Sequence, residues 1–195
     1  MLAPLIAYIE ERSVTPLAEG DIRLLRDAFV PRTFKKRAFL LQRGDICRYI
    51  AFIVKGATRQ YTIDEKGNEH VLNLCVENWW TSDRESFHHE TPSIYYIEAW
   101  EDTEAFMLPK ANDYYARVNT IPAFHEMRVK LDDNNHFAAQ HRLNLSKTHT
   151  ATHRYAELQE LYPEFLQRFP QHQIASYLGI TKETLSRIRG KAARK

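Results

Sequence analysis

Apolar residues follow two different periods along this chain, and the changes between them divide it. Over residues 4–11 and 19–29 they recur at helical spacing (Leu5, Ile6, Ile9; then Ile22, Leu25, Phe29). Side chains three and four apart share a helix face, so two helices are predicted, with Thr15-Pro16 suited to a helix start. From Thr33 the period shortens. Residues 38–41, 49–54, 58–63, 70–75, 94–99 and 103–108 are β-rich runs, punctuated by Gly44-Asp45, Lys55-Gly56 and the polar turn 64–68. Short strands divided by tight turns predict a sandwich or jelly-roll barrel.

After Pro109 the helical period returns. Residues 112–118 predict a short helix, and Pro122 opens a long one to about Leu145. Phe124, Met127, Leu131, Asn134, Ala138, His141 and Leu145 form a stripe close to a heptad seam. One polar position, Asn134, in a mostly apolar stripe suits a register-setting residue, so Phe124, Met127, Leu131, Asn134 and Ala138 are the expected dimer contacts. The alternative is a helix packed on its own barrel. Residues 146–150 form a polar hinge, 151–161 a further helix, and 162–170 a connection bounded by prolines.

The segment 170–190 has the pattern of a helix-turn-helix. Ile174, Ala175 and Leu178 are the buried positions of its first helix, and the small Ala175 lets a second helix cross closely. Gly179 lies at the turn, where a left-handed backbone favours glycine. Ile180 fills the angle between the helices and Thr181 is the expected N-cap. Leu185 and Ile188 pin the second helix, leaving Lys182, Glu183, Ser186, Arg187 and Arg189 outward. Arg187 suits guanine O6 and N7, and Glu183 suits cytosine N4, with Lys182 and Ser186 as neighbouring readers. Gln171, His172, Thr181, Thr184 and Arg189 are the expected phosphate contacts. A plain helical hairpin with solvated charges is the competing reading.

Charge sharpens this. The net charge is +2, but residues 1–145 hold 18 Lys and Arg against 21 Asp and Glu, whereas 146–195 hold 9 against 4. A basic end on a mildly acidic body suits a polyanion partner. No apolar run approaches the roughly 18 residues of a membrane span. Residues 1–11 lack the basic-then-apolar pattern of a secretion signal, so a cytoplasmic protein is expected. Cys47 and Cys75, alone in separate strands, read as buried thiols of a reducing compartment.

From about Thr33 onward the chain resembles the Crp/Fnr family of transcriptional regulators. The resemblance rests on Leu41-Gln42-Arg43-Gly44-Asp45-Ile46, on 53–59 (Ile-Val-Lys-Gly-Ala-Thr-Arg) and on 174–189; Arg154-Tyr155 with Leu158, Leu161 and Pro163 resembles the preceding helix of one subgroup. It implies an α+β fold: a β-jelly-roll barrel of the cyclic-nucleotide-binding type with N-terminal helices (1–121), a long dimerisation helix (122–145) and a helix-turn-helix domain (146–195). It also implies a homodimeric, sequence-specific DNA-binding regulator rather than an enzyme, with double-stranded DNA, a second copy and RNA polymerase as partners, and base reading by Glu183 and Arg187.

Two departures stand out. Cyclic-nucleotide binders of the family hold the ribose with Gly-Glu and the phosphate with Arg-Ser or Arg-Thr; the matching positions are Thr81-Ser82 and Ser93-Ile94. A buried phosphate with no cation is costly, and Arg84 is the one nearby replacement. Cyclic AMP binding in the usual way is therefore not expected, and the effector is an unknown small molecule or none. The five residues after Gly190 are too few for a β-hairpin wing, so a domain lacking a full wing, ending in a basic extension at 191–195, is expected.

Other chemistry is weaker. Trp79, Trp80, Tyr95, Tyr96 and Trp100 fit either an aromatic cage or core filling. His88-His89-Glu90 and His149/His153 invite a metal, and a cupin-like metal-dependent barrel is the second function class. Adjacent histidines on a strand point to opposite faces, however, and the four thiolates of an iron–sulfur centre are not present. No metal or cofactor is expected.

Overall fold

The computed structural model describes residues 2–192, which divide into two compact units. The first comprises the residues up to Gln60 together with Cys75–Asp133; the second comprises Tyr61–Leu74 and 134–192. They are described separately.

The first unit opens with α1 (Ala3–Arg12) and α2 (Glu19–Ala28). The second helix starts at Glu19 rather than at Thr15-Pro16, because the Asp21 carboxylate accepts from the Ala18 N–H at 3.0 Å. The strands are β1 (Val30–Phe34), β2 (Phe39–Leu41), β3 (Tyr49–Lys55), β4 (Thr58–Ile63), β5 (Glu69–Cys75), β6 (Trp80–Thr81), β7 (Tyr96–Ala99) and β8 (Thr103–Pro109). They form two four-stranded sheets, ordered β1-β8-β3-β6 and β2-β7-β4-β5, the jelly-roll arrangement. The β3 and β8 strands pair antiparallel in register Phe52↔Phe106, which buries both rings. Gly56, at φ +94°, turns β3 into β4; a Cβ there would lie 2.5 Å from the Asp102 carbonyl oxygen, so only glycine fits.

The largest core joins helices to sheet: Leu5, Ile9, Leu25, Phe52, Leu108 and Met127 are fully buried in it. Trp80 packs edge-on to Tyr8, Phe29 and Phe124, so this tryptophan fills the core. In the other sheet Arg59 and Glu98 form a buried ion pair at 2.6 Å, with Arg37 adding a contact at 3.1 Å and Trp100 stacked under Arg59. Two short helices complete this unit: α3 (Arg84–His89), which the sequence pattern does not show, and α4 (Tyr114–Val118), within the helix expected at 112–118. His88 and His89 therefore sit at the end of a helix and not on a strand; burial lowers the His88 pKa.

The long helix α5 runs from Pro122 to Thr148 over 27 residues. Phe124 (3 % exposed) and Met127 (1 %) lie in the first unit's core, with Leu131 packed against it. Asn134 is exposed and Ala138 half-buried. At 100° per residue, the exposed Val129, Phe137 and Leu143 fall on the far side of the helix from that stripe.

In the second unit come α6 (Ala151–Leu161), α7 (Pro163–Arg168), α8 (Gln171–Tyr177) and α9 (Lys182–Ala192). The segment 162–170, expected as a plain connection, holds α7: Pro163 at its first turn favours helix and Phe165 buries completely, stacked on Tyr162 and edge-on to Phe169. The hinge is shorter than the polar stretch suggests, since α5 continues to Thr148 and Thr150 caps α6 by accepting from the His153 N–H at 3.3 Å.

Candidate nucleic-acid interface

The turn between α8 and α9 is set by hydrogen bonding at the end of α8. Ile180 N–H donates to the Ala175 carbonyl and Gly179 N–H to the Ser176 carbonyl, both at 3.0 Å, with Gly179 at φ +65°. That pairing, one bond reaching back five residues and one reaching back three around a left-handed glycine, closes a helix tightly. The chain then restarts at once. Thr181 Oγ1 accepts from the Thr184 N–H at 3.2 Å and the Thr181 carbonyl from the Leu185 N–H at 3.0 Å, which makes Thr181 the N-cap of α9.

Burial selects the faces. Ile174, Ala175, Leu185 and Ile188 are buried, while Lys182, Glu183, Ser186, Arg187 and Arg189 are exposed and Thr184 is half-buried. Among the described residues none of those five exposed side chains is engaged in a salt bridge or side-chain hydrogen bond. Their donors and acceptors face water on one side of α9. Gln171 and His172 are exposed on the first turn of α8. The basic extension falls partly at 193–195, outside the described residues.

Two fixings of α8 escape a reading of the sequence. Ser176 Oγ donates to the Glu69 carbonyl at 3.0 Å and accepts from the Val71 N–H at 2.9 Å, tying α8 to the edge strand β5. Arg142 on α5 donates to the Tyr177 hydroxyl at 3.0 Å. A serine and a tyrosine on a short helix carry no signal of such partners.

The residues matched to a ligand pocket do not converge. Thr81 and Ser82 line a barrel cavity of about 130 Å³, with Leu40, Ile97 and Met107 among its apolar walls. Ser93 is buried and donates to Asp83 at 2.7 Å; Ile94 is 58 % exposed. Arg84 turns to α5, where its guanidinium holds the Asp132 carboxylate through both Nη atoms. Among the described residues no three His, Cys, Asp or Glu side chains could hold one metal ion. His141 Nε2 meets Glu157 at 2.6 Å and the His149 and His153 rings lie 4.4 Å apart.

Residues 31–112 match the family model of the cyclic nucleotide-binding domain. Among solved structures the chain resembles FixK2 from Bradyrhizobium japonicum (18 % identity, 85 % of each chain covered, TM-score 0.66). It also resembles a transcriptional regulator of the CRP/FNR family from Thermus thermophilus (20 % identity, 85 % of this chain and 86 % of that one, TM-score 0.62). A third is the catabolite activator protein of the same organism (22 % identity, 91 % and 84 %, TM-score 0.56). No curated protein sequence matches the chain.

Proposed function

From a chain with a cyclic nucleotide-binding domain and the Crp/Fnr fold, we propose a sequence-specific DNA-binding transcriptional regulator that acts as a homodimer in the cytoplasm. The observation that carries this reading is the unengaged face of α9. Arg187 and Glu183 are free to pair with base edges, Lys182 and Ser186 stand beside them, and Thr181, Thr184, Gln171, His172 and Arg189 suit the flanking phosphates. The DNA-binding part is 146–195, and the sensor part is 1–121 with the helix 122–145 after it.

The second copy meets α5. Phe124 and Met127 are committed to their own core, so the seam uses the far face, where Val129, Phe137 and Leu143 are exposed. Dimeric readers of this type place two recognition helices about one DNA turn, ~34 Å, apart. The barrel does not hold cyclic AMP in the family's usual way, because Ser93 and Ile94 themselves supply no cation and Arg84 is already paired with Asp132.

DNA retention measured against salt tests this. Binding that weakens steeply as salt rises, with most of its sequence preference lost in Arg187→Ala, supports the reading; salt-insensitive or equal binding by that variant contradicts it.

A further inference from the structure

The loop between β6 and β7 is organised around one carboxylate. Asp83 is 5 % exposed and has no cation against it among the described residues. Its partners are neutral donors: Oδ1 accepts from the Ser86 N–H at 3.1 Å and Oδ2 from the Ser93 hydroxyl at 2.7 Å. Both donors are themselves buried, Ser86 at 1 % exposure and Ser93 at 3 %.

The surrounding backbone holds them in place. Ser93 N–H donates to the Asp45 carbonyl and Gly44 N–H to the Ser93 carbonyl, each at 2.8 Å. Ser86 Oγ accepts from the Cys47 N–H at 2.8 Å. A carboxylate withdrawn from water persists only where fixed donors replace the water it has lost. Here two such donors converge on Asp83 from residues three and ten positions along the chain. The neighbouring cation, Arg84, is taken up by Asp132 on α5.

We propose that Asp83 is a built-in anion. It uses the donors that an external phosphate or carboxylate would need, so the loop 81–93 is folded with no ligand bound and admits no phosphate ester there. The proposal rests on the regulator reading only in assigning this loop to a sensor. It gives a DNA-binding protein whose sensor loop is ordered before any effector arrives.

The test is chemical rescue on the full chain. Asp83→Ala removes the carboxylate and leaves the Ser86 N–H and the Ser93 hydroxyl facing an anion-sized gap. Its melting temperature is expected to fall by about 5 °C or more. Formate, acetate or inorganic phosphate, at ionic strength matched with chloride, should restore a substantial part of the loss. The wild type and Asp83→Asn, whose gap is filled by the amide, should show no such anion-specific rise. Should the alanine variant not fold, Asp83→Ser keeps a cap on Ser86 N–H and carries the same titration. A folded variant that no anion raises above chloride would overturn the proposal, as would saturable stabilisation of the wild type by phosphate or cyclic AMP. DNA retention by the wild type, measured separately, tests the regulator reading, so the two fail independently.

Discussion

Arg84 holds the Asp132 carboxylate with both Nη nitrogens, and Arg128, one turn before Asp132, donates to the same group at 3.0 Å. Arg84 is therefore a strut from α3 to α5, its guanidinium already engaged. The pairing with Asp132 raises the Arg84 pKa, so the guanidinium stays charged at all working pH. Because Arg84 is about half exposed, its removal should cost at most about 1 kcal/mol. A double-mutant cycle of Arg84→Ala and Asp132→Ala on thermal stability checks this, and the expected result is a small favourable coupling between the two.

The proposed reading of DNA by α9 predicts two kinds of loss. Arg187→Ala should weaken binding to the preferred DNA by about 1–3 kcal/mol and relax the preference at one base position. Arg189→Ala should weaken all sequences nearly equally and flatten the salt dependence by about one unit. Titrations of the preferred and a scrambled duplex at several salt concentrations distinguish the two outcomes.

The proposed roles of the two faces of α5 predict opposite phenotypes. If α5 forms the proposed seam, Phe137→Glu, which places a charge at an exposed position, should leave the fold stable and give a monomer where the wild type is a dimer, read by light scattering. Met127→Ala opens a cavity in the core and should cost about 2–5 kcal/mol in folding stability. Chemical denaturation together with mass measurement on both variants checks the assignment.

Glu126 ties the loop between α1 and α2 to α5: Oε2 accepts from the Val14 N–H at 2.7 Å and Oε1 from the Thr15 hydroxyl. The Thr15 hydroxyl, then the Val14 and Thr15 N–H groups, lower its pKa. A carboxylate lowered on folding contributes stability above its unfolded pKa and loses it as pH falls through the lower folded value. Stability should therefore decline with acid below about pH 4.5, and Glu126→Gln should show a shallower decline there. Melting temperatures between pH 3 and 7 for both proteins measure it.

Much of this was legible in the sequence because it depends on local pattern. The strand runs from 38–41 to 103–108, the turn at Gly179 and the cap at Thr181 all follow from neighbours in the chain. What escaped depends on distant partners. The β1 strand is mostly exposed and contains Pro31, which a strand tolerates at the sheet edge where it pairs only with β8. The β6 strand has two residues and α3 has six, too few to show a period. The stripe Phe124, Met127, Leu131 was visible as apolar, but the pattern of one helix does not say whether its own barrel or a second copy covers it. Asp83 gave no signal, since its partner Ser93 becomes a neighbour only when the loop folds.

Selection of bound fragments from random DNA by the full chain tests the central claim most directly. The expected result is enrichment of a two-fold symmetric sequence with half-sites about one helical turn apart, lost in Arg187→Ala. Enrichment of no sequence above background, under low-salt conditions where the protein is folded, would contradict it.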